Sequence, residues 1–398
     1  MSAHPSQNDP RRVSTEASVS VSEGAQQQAQ KPVEAPRDLT VDDLDKVLEM
    51  AIQRGMSDVH LRVNVPPIVR NNGKIVPIKL PPLPERVLYK FIQKIIPPRA
   101  LGLVDHQKEV DFGFSVKNQA RFRVNLFYEL GRPAMVMRII PWQIPALKSL
   151  GLPEQVHRFG DYNSGLVLVT GPTGVGKSTT LAALLNEVNL HAPKHIITIE
   201  DPIEFVYQSQ RSIVTQREIG VDTDSFSSCV KYALRQDPDV ILIGELRDRE
   251  TVSAALHAAE TGHLVLSTLH TSDAVQTIYR IINMFEPHER DPVRLQLASI
   301  LRGTISQKLI PHKDGVGRVA IAEVMTATST VADYIQQNKV DMIYQLLKET
   351  ELGEMCSMNA SLMRAVQLDL ITGDDALKYT NNPVQLQQML RGAFHGSG

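Results

Sequence analysis

One stretch of the chain has residue types and spacing suited to a phosphate group: Gly171-Pro172-Thr173-Gly174-Val175-Gly176-Lys177-Ser178-Thr179. Its G-x-x-x-x-G-K-[ST] form predicts a loop whose backbone N–H groups wrap around phosphate oxygens. Gly171, Gly174 and Gly176 supply the backbone freedom and the missing side chains that so close an approach needs. Lys177 adds a point charge for the β- and γ-phosphates of ATP, and Ser178 offers a hydroxyl to Mg²⁺. A helix after the loop would aim its N-terminus at the anion. The competing reading is a plain glycine-rich turn, so the flanking elements have to decide.

Groups that hydrolysis would require follow. Thr198-Ile-Glu200-Asp201-Pro202-Ile-Glu204 puts three carboxylates within five residues at a strand end. A carboxylate there can orient and activate water near a γ-phosphate, although a solvated acidic turn around Pro202 has the same composition. Val240-Ile-Leu-Ile243 ends in Gly244-Glu245, like a Walker B segment. An acidic residue at the tip of a buried strand is costly unless it is paired or serves a cation. Glu245 is therefore placed to hold the water shell of Mg²⁺, the alternative being an exposed strand-end glutamate.

Histidines and arginines complete the set. Thr261-Gly-His263 and Thr268-Leu-His270-Thr271 bracket a fourth strand. His263 and His270 can sense a γ-phosphate or lend it positive charge, or each can be a satisfied structural histidine. No metal-ligand spacing links them. Arg121 and Arg123 share one strand face, and Arg138 sits on the next strand. Arginines supplied from elsewhere, even from another subunit, often meet the charge of a transferred phosphoryl group. Ordinary surface charge is the alternative.

The elements that must position these groups are legible in the hydrophobic pattern. Leu166–Val169, Ile196–Ile199, Val240–Ile243 and Leu264–Leu266 are nearly continuous apolar runs, as in a sheet covered by helices on both faces. Ligands of such sheets sit beyond the strands' carboxyl ends, where these polar motifs are expected to gather. Leu181, Leu184, Leu185 and Val188 form one helical stripe, with Pro193 as a stop. Upstream, Thr40 and Asp43 resemble a capping pair for a helix with Leu44, Val47, Leu48 and Ala51 on its apolar face, ending near Gly55. Alternation from Val59 to Val65, a hairpin turn at Asn72-Gly73, and strands Ala120–Leu126 and Ala134–Ile140 around Gly131-Arg132-Pro133 suggest a small antiparallel α/β domain. The expected organisation is a disordered tail over 1–38, an N-terminal domain over 39–146, a hinge over 147–153, an ATPase core over 154–325 and a helical C-terminal region with a flexible end over 326–398.

Composition bounds the partners. The chain has 398 residues, 22% of them charged, and a formal net charge of −2, so no global basic field advertises nucleic acid or an anionic membrane. Aromatics at 5% leave little for base stacking. Cys229 and Cys356 are far apart, which argues against a zinc module or a disulfide framework. Neither a run of 18 apolar residues nor an apolar secretion signal is present, so a cytoplasmic protein without direct membrane insertion is expected.

Assembled, these segments resemble the PilT family of secretion-type ATPases, the retraction motors of type IV pili. GPTGVGKSTTLAALL is similar to the family's Walker A, TIEDPIEF to its Asp box, DPDVILIGELRD to its Walker B and AAETGHLVLSTLHT to its His box, with Ser57–Leu61 and Arg121–Asn125 similar to its N-terminal wording. The resemblance implies an α/β chain with a PAS-like N-terminal domain and a RecA-like P-loop ATPase domain, assembled as a hexameric ring with nucleotide between the two domains. It implies Glu204 as catalytic glutamate, Glu245 as the Walker B glutamate, His263 and His270 as His-box histidines, and Arg123 and Arg138 as arginines reaching the nucleotide phosphates. It further implies ATP and Mg²⁺, an inner-membrane pilus platform protein and a paralogous pilus ATPase as partners, and a place at the inner face of the cytoplasmic membrane at pilus bases. Where the family carries AIRNLIRE, this chain has Ala332 and Gln336 in place of both arginines, and Glu354-Met-Cys356-Ser-Met replaces a second family segment. An accessory motor of the PilU kind, or an extension or type II secretion motor, are the alternatives within the superfamily. Outside it stand a nucleic-acid translocase and a nucleotide-gated scaffold ring.

Overall fold

Thr40 caps the first helix, Val41–Gln53, as its spacing to Asp43 predicts. Its hydroxyl accepts from the Asp43 N–H at 3.3 Å, and the Asp43 carboxylate accepts from the Thr40 N–H at 3.0 Å. Leu44, Val47, Leu48 and Ala51 are all buried. The computed structural model describes residues 39–71, 73–98, 109–116, 119–140, 143–349 and 355–395, without the side chains of 392–395. The expected tail over 1–38, Asn72, Glu354 and residues 396–398 lie outside the described residues.

The first helix and a second, Glu85–Ile95, cover an antiparallel sheet of six strands: β1 (Asp58–Arg62), β2 (Ile68–Asn71), β3 (Lys74–Pro77), β4 (Glu109–Val116), β5 (Ala120–Glu129) and β6 (Arg132–Ile140). Their order is β3-β2-β1-β6-β5-β4. Val59, Leu61, Phe122, Val124, Met135 and Met137 enter one core with Leu48, Leu88 and Phe91. Two details differ from the sequence pattern. β1 stops at Arg62 although alternation runs on to Val65, because Asn64 turns into the left-handed region at φ 62° and its N–H donates to the Leu83 carbonyl. The β5–β6 turn is Leu130-Gly131, with φ of 51° and 75°, so Arg132 and Pro133 belong to β6. Two successive positive φ values match the twist of the flanking strands.

A second sheet holds β7 (Gly165–Thr170), β8 (His195–Glu200), β9 (Ile213–Glu218), β10 (Val240–Ile243), β11 (Leu264–Leu269), β12 (Leu301–Pro311) and β13 (Arg318–Thr326). The order is β13-β12-β7-β11-β10-β8-β9, every neighbouring pair parallel except β12 with β13. Successive residues serve opposite faces. Leu166, Leu168, Ile197, Ile199, Ile241 and Ile243 join one core, while Val167, Val169, Ile196, Val240, Leu242 and Leu266 join another. Each such side chain stabilises by about 1.5–3 kcal/mol when fully buried, which is why these strands read as unbroken apolar runs. Helix Lys177–His191 lies on the second face with Leu181, Leu184, Leu185 and Val188 buried.

Leu147–Leu150, in the stretch expected to be a hinge, forms a short 3-10 turn whose Leu147 is buried in that same core. β12 and β13 were not legible as apolar runs because they carry the buried polar residues Thr304, Ser306, Gln307 and Glu323. After β13 the described chain is helical: Ser329–Gln336, Met342–Glu349, Met358–Gln367, Gly373–Tyr379 and Pro383–His395.

Candidate active site

The glycine-rich loop leaves the carboxyl end of β7 and runs into helix Lys177–His191. Gly171 adopts φ 139°, and a Cβ there would stand 2.6 Å from the Gln307 carbonyl oxygen of β12, so no other residue fits without moving a strand. Gly174 and Gly176 take φ of 83° and 90°. Pro172 and Thr173 are exposed, Val175, Ser178 and Thr179 half-buried. The amides of the helix's first turn lack carbonyl partners one turn back and face the loop, the arrangement that binds anions.

Lys177 is buried, and its Nζ donates to the carbonyls of Gly171 at 2.8 Å and Pro172 at 3.0 Å. Loss of water pushes its pKa below the ordinary lysine value, while Glu245 and Glu204 pull it back up. The two carboxylates singled out in the sequence therefore act on the loop lysine from neighbouring strand ends, Glu204 beyond β8 and Glu245 beyond β10.

Glu245 is half-buried between an arginine and a histidine. Arg247 Nε lies 2.8 Å from its Oε2, and His270 Nε2 lies 3.0 Å from its Oε1. Glu204 is exposed, and its N–H donates to Glu200 Oε2 at 3.2 Å. Glu200 is buried and also accepts from Thr198 Oγ1 at 2.7 Å and Gln216 Nε2 at 3.3 Å. Burial outweighs these donors and pushes the Glu200 carboxyl up to about 7.

His263 is the exception to the expectation that every polar motif gathers at the carboxyl ends. It precedes β11, with its carbonyl accepting from the Gly165 N–H at the start of β7. The six residues of β11 put about 20 Å between it and the loop end of the sheet at ~3.3 Å per residue. Its Nδ1 lies 2.9 Å from the Ala258 carbonyl and 3.2 Å from Thr261 Oγ1, so this ring nitrogen is partnered within this chain. The signal was in the sequence, since His263 comes before its strand and His270 after.

Arg123 and Arg138 stand directly opposite each other on β5 and β6. Arg138 Nε donates to Asp58 Oδ1 at 3.1 Å, and Arg70 Nε lies 3.6 Å from Asp58 Oδ2. Like charges so paired repel, and the buried Asp58 offsets this. Among the described residues neither Arg123 nor Arg138 makes a hydrogen bond or ion pair with the loop, Glu204 or Glu245. Arg121 instead reaches the second sheet, pairing with the buried Glu218 at the end of β9. Sequence patterning missed Glu218, whose strand carries no apolar run to mark it.

The Ser178 hydroxyl, at the start of the loop helix, and the Glu245 carboxylate, after β10, are hard oxygen donors of the kind Mg²⁺ takes. Among the described residues no group of three or more His, Cys, Asp or Glu could form an all-protein metal cage. Beside the site an open groove of about 1230 Å³ runs between helices Phe226–Ala233 and Arg249–Glu260, walled by Asp201, Asp224, Arg247 and Arg249. The phosphate loop is not part of it. No described helix is long and apolar enough to cross a membrane.

Residues 34–368 match the family described as type II/IV secretion system protein. The chain is 42% identical over 341 residues to the type IV pilus retractation ATPase PilT of Pseudomonas aeruginosa, covering 86% of this chain and 99% of that one. It is 38% identical to the type IV pilus ATPase PilU of the same organism, over 88% of this chain and 91% of that one. A crystal structure of the pilus retraction motor PilT with bound ADP superposes with a TM-score of 0.82 at 42% identity, covering 88% of this chain and all of that one.

Proposed function

The chain belongs to the type II/IV secretion system protein family, and we propose that it is an ATP-hydrolysing motor that drives type IV pilus retraction. The observation that carries this reading is the glycine loop at the carboxyl end of β7, with buried Lys177 held to its Gly171 and Pro172 carbonyls and with Glu204 and Glu245 following the neighbouring strands β8 and β10 of the same parallel sheet. An anionic phosphate chain suits the loop amides and Lys177, whose desolvated ammonium gains a partner on binding. Gly171 to Gly176 shape the cradle, and Ser178 and Thr179 add hydroxyls at the helix start.

Ser178 and Glu245 would hold Mg²⁺, Glu245 through water, and the ion would neutralise charge on the phosphates. Glu204, exposed on a loop fastened to Glu200, takes the proton from the attacking water as the water oxygen bonds to the γ-phosphorus and the bond to the leaving ADP oxygen breaks. His270 and Arg247 hold Glu245 in place. Arg123 and Arg138 supply positive charge to the phosphates when the small sheet closes on the nucleotide. In a homo-hexameric ring, ordered closing and release would turn hydrolysis into movement. Its partners would be an inner-membrane pilus platform protein and a paralogous pilus ATPase, met at the cytoplasmic face of the membrane at pilus bases.

Ala332 and Gln336, on helix Ser329–Gln336, favour a second reading as an accessory motor, because both replace arginines of the family's AIRNLIRE signature. Surface pili counted on cells lacking the protein test the retraction reading. Excess pili, corrected by the intact chain and not by Glu204→Gln, is the expected result. Loss of pili would contradict retraction and point to extension.

A further inference from the structure

The loop that carries Glu204 is fastened at two consecutive amides by two buried carboxylates. The Glu204 N–H donates to Glu200 Oε2 at 3.2 Å, and the Ile203 N–H donates to Glu218 Oε2 at 3.2 Å. The two anchors differ in what holds them. Glu200 is satisfied within its own sheet by Thr198 and Gln216. Glu218 is paired across to the other sheet, because the oxygen that accepts from Ile203 also accepts from Arg121 Nη2 of β5.

Arg121 in turn is built into the small sheet. Its Nη1 donates to Ser115 Oγ on β4 at 3.3 Å. Gly113 makes room for it, since a Cβ there would come within 2.2 Å of Nη2. The Arg121 Nε is buried without a partner, so the guanidinium is held through Ser115 and Glu218. Side-chain exposures of 18% for Arg121 and 3% for Glu218 make this a largely buried ion pair, in which losing one partner strands a charge.

We propose that Arg121 and Glu218 are a positioning pair, through which the placement of the small sheet sets the loop that carries Glu204. The inference rests on the ATPase reading of that loop and adds its regulation. With the sheet seated, Arg121 neutralises Glu218 and leaves its Oε2 fixed as the acceptor for Ile203. When the sheet withdraws, a buried carboxylate loses its cation and must recruit water or a proton, and the Ile203 amide loses a fixed acceptor. Hydrolysis is thereby tied to closure, because a base displaced by about 1 Å can cost on the order of a hundredfold in rate.

The test uses the full chain with Arg121→Gln, Arg121→Lys, Glu218→Gln and the Arg121→Gln/Glu218→Gln double variant. Steady-state ATP turnover with Mg²⁺ should show kcat reduced by about tenfold to a hundredfold in each Gln variant, with KM for ATP within about twofold. The double variant should be no slower than the slower single one, and Arg121→Lys should recover part of the rate. Native-state hydrogen exchange provides a readout independent of activity. Arg121→Gln should speed exchange at the Ile203 and Glu204 amides while those of β7 and β10 keep wild-type protection, whereas a merely structural role would loosen all of them. Wild-type kcat in Arg121→Gln, multiplicative losses in the double variant, or unchanged exchange at Ile203 and Glu204 would each overturn the proposal. Absence of ATP turnover in the wild-type chain would instead sink the ATPase reading, and the exchange result would still decide whether the pair holds the loop.

Discussion

His270 Nε2 stands 3.0 Å from Glu245 Oε1, joining the carboxyl ends of the adjacent parallel strands β11 and β10. The other oxygen of Glu245 is taken by Arg247 at 2.8 Å. A carboxylate held at both oxygens keeps one orientation, which the proposed indirect Mg²⁺ contact of Glu245 would require. His270→Ala should therefore leave ATP binding nearly intact and lower kcat by about tenfold, as loss of positioning does. Parallel measurement of nucleotide affinity and turnover checks this, and an affinity loss with kcat unchanged would count against it.

Gly171 is the position at which the loop is least tolerant. Gly171→Ala places a methyl 2.6 Å from the Gln307 carbonyl oxygen at a φ of 139°. β12 or the loop must shift, and the N–H cradle shifts with it. Nucleotide binding should weaken by at least about tenfold and stability should fall by about 1–3 kcal/mol. Titration with a fluorescent ATP analogue and a urea melt measure the two effects. Gly174→Ala meets no neighbouring atom within 4 Å, and its cost is confined to the left-handed backbone.

Glu323 gives a pH dependence far from the chemistry. It is buried on β13 and accepts from the Ala274 N–H at 3.0 Å. Burial, aided by Asp273, pushes its carboxyl up to about 7 against the opposing pull of Lys308 and backbone donors. The folded chain thus keeps a proton that the unfolded chain releases near pH 4.5. The resulting stabilisation is full below pH 4.5, declines as pH rises to about 7 and is gone above it, an effect on the order of 3 kcal/mol. Glu323→Gln should flatten this component of the stability profile between pH 4.5 and 7, whatever it does to absolute stability. Denaturant melts at several pH values check the slope.

Much of the nucleotide site was readable because its signals are local. Gly171 to Ser178 need a fixed spacing, and β7, β8, β10 and β11 need apolar residues on both faces, so each announces itself in a short window. Thr40 and Asp43 are equally local. What stayed hidden depends on pairing between distant segments. Glu218 ends a strand of mixed polarity, and its partner Arg121 lies 97 residues earlier. β12 and β13 bury Thr304, Ser306, Gln307 and Glu323, which breaks the apolar run that marks a strand. Glu200 reads in the sequence as one of three similar carboxylates, and burial separates it from the exposed Glu204 only in three dimensions. His263 was grouped with His270 by residue type, although its place before β11 puts it at the other end of the sheet.

The most direct test is ATP turnover by the purified full chain with and without Glu204→Gln. Glu204→Gln keeps the loop amide that donates to Glu200 and removes the carboxylate, and with it the proposed proton acceptor and one of the two negative charges acting on Lys177. Turnover should fall by about a hundredfold or more, in line with loss of a general base, while ATP affinity is retained. Equal turnover by the two proteins would contradict Glu204 as the base, and with it the assignment of this site as the one that drives the motor.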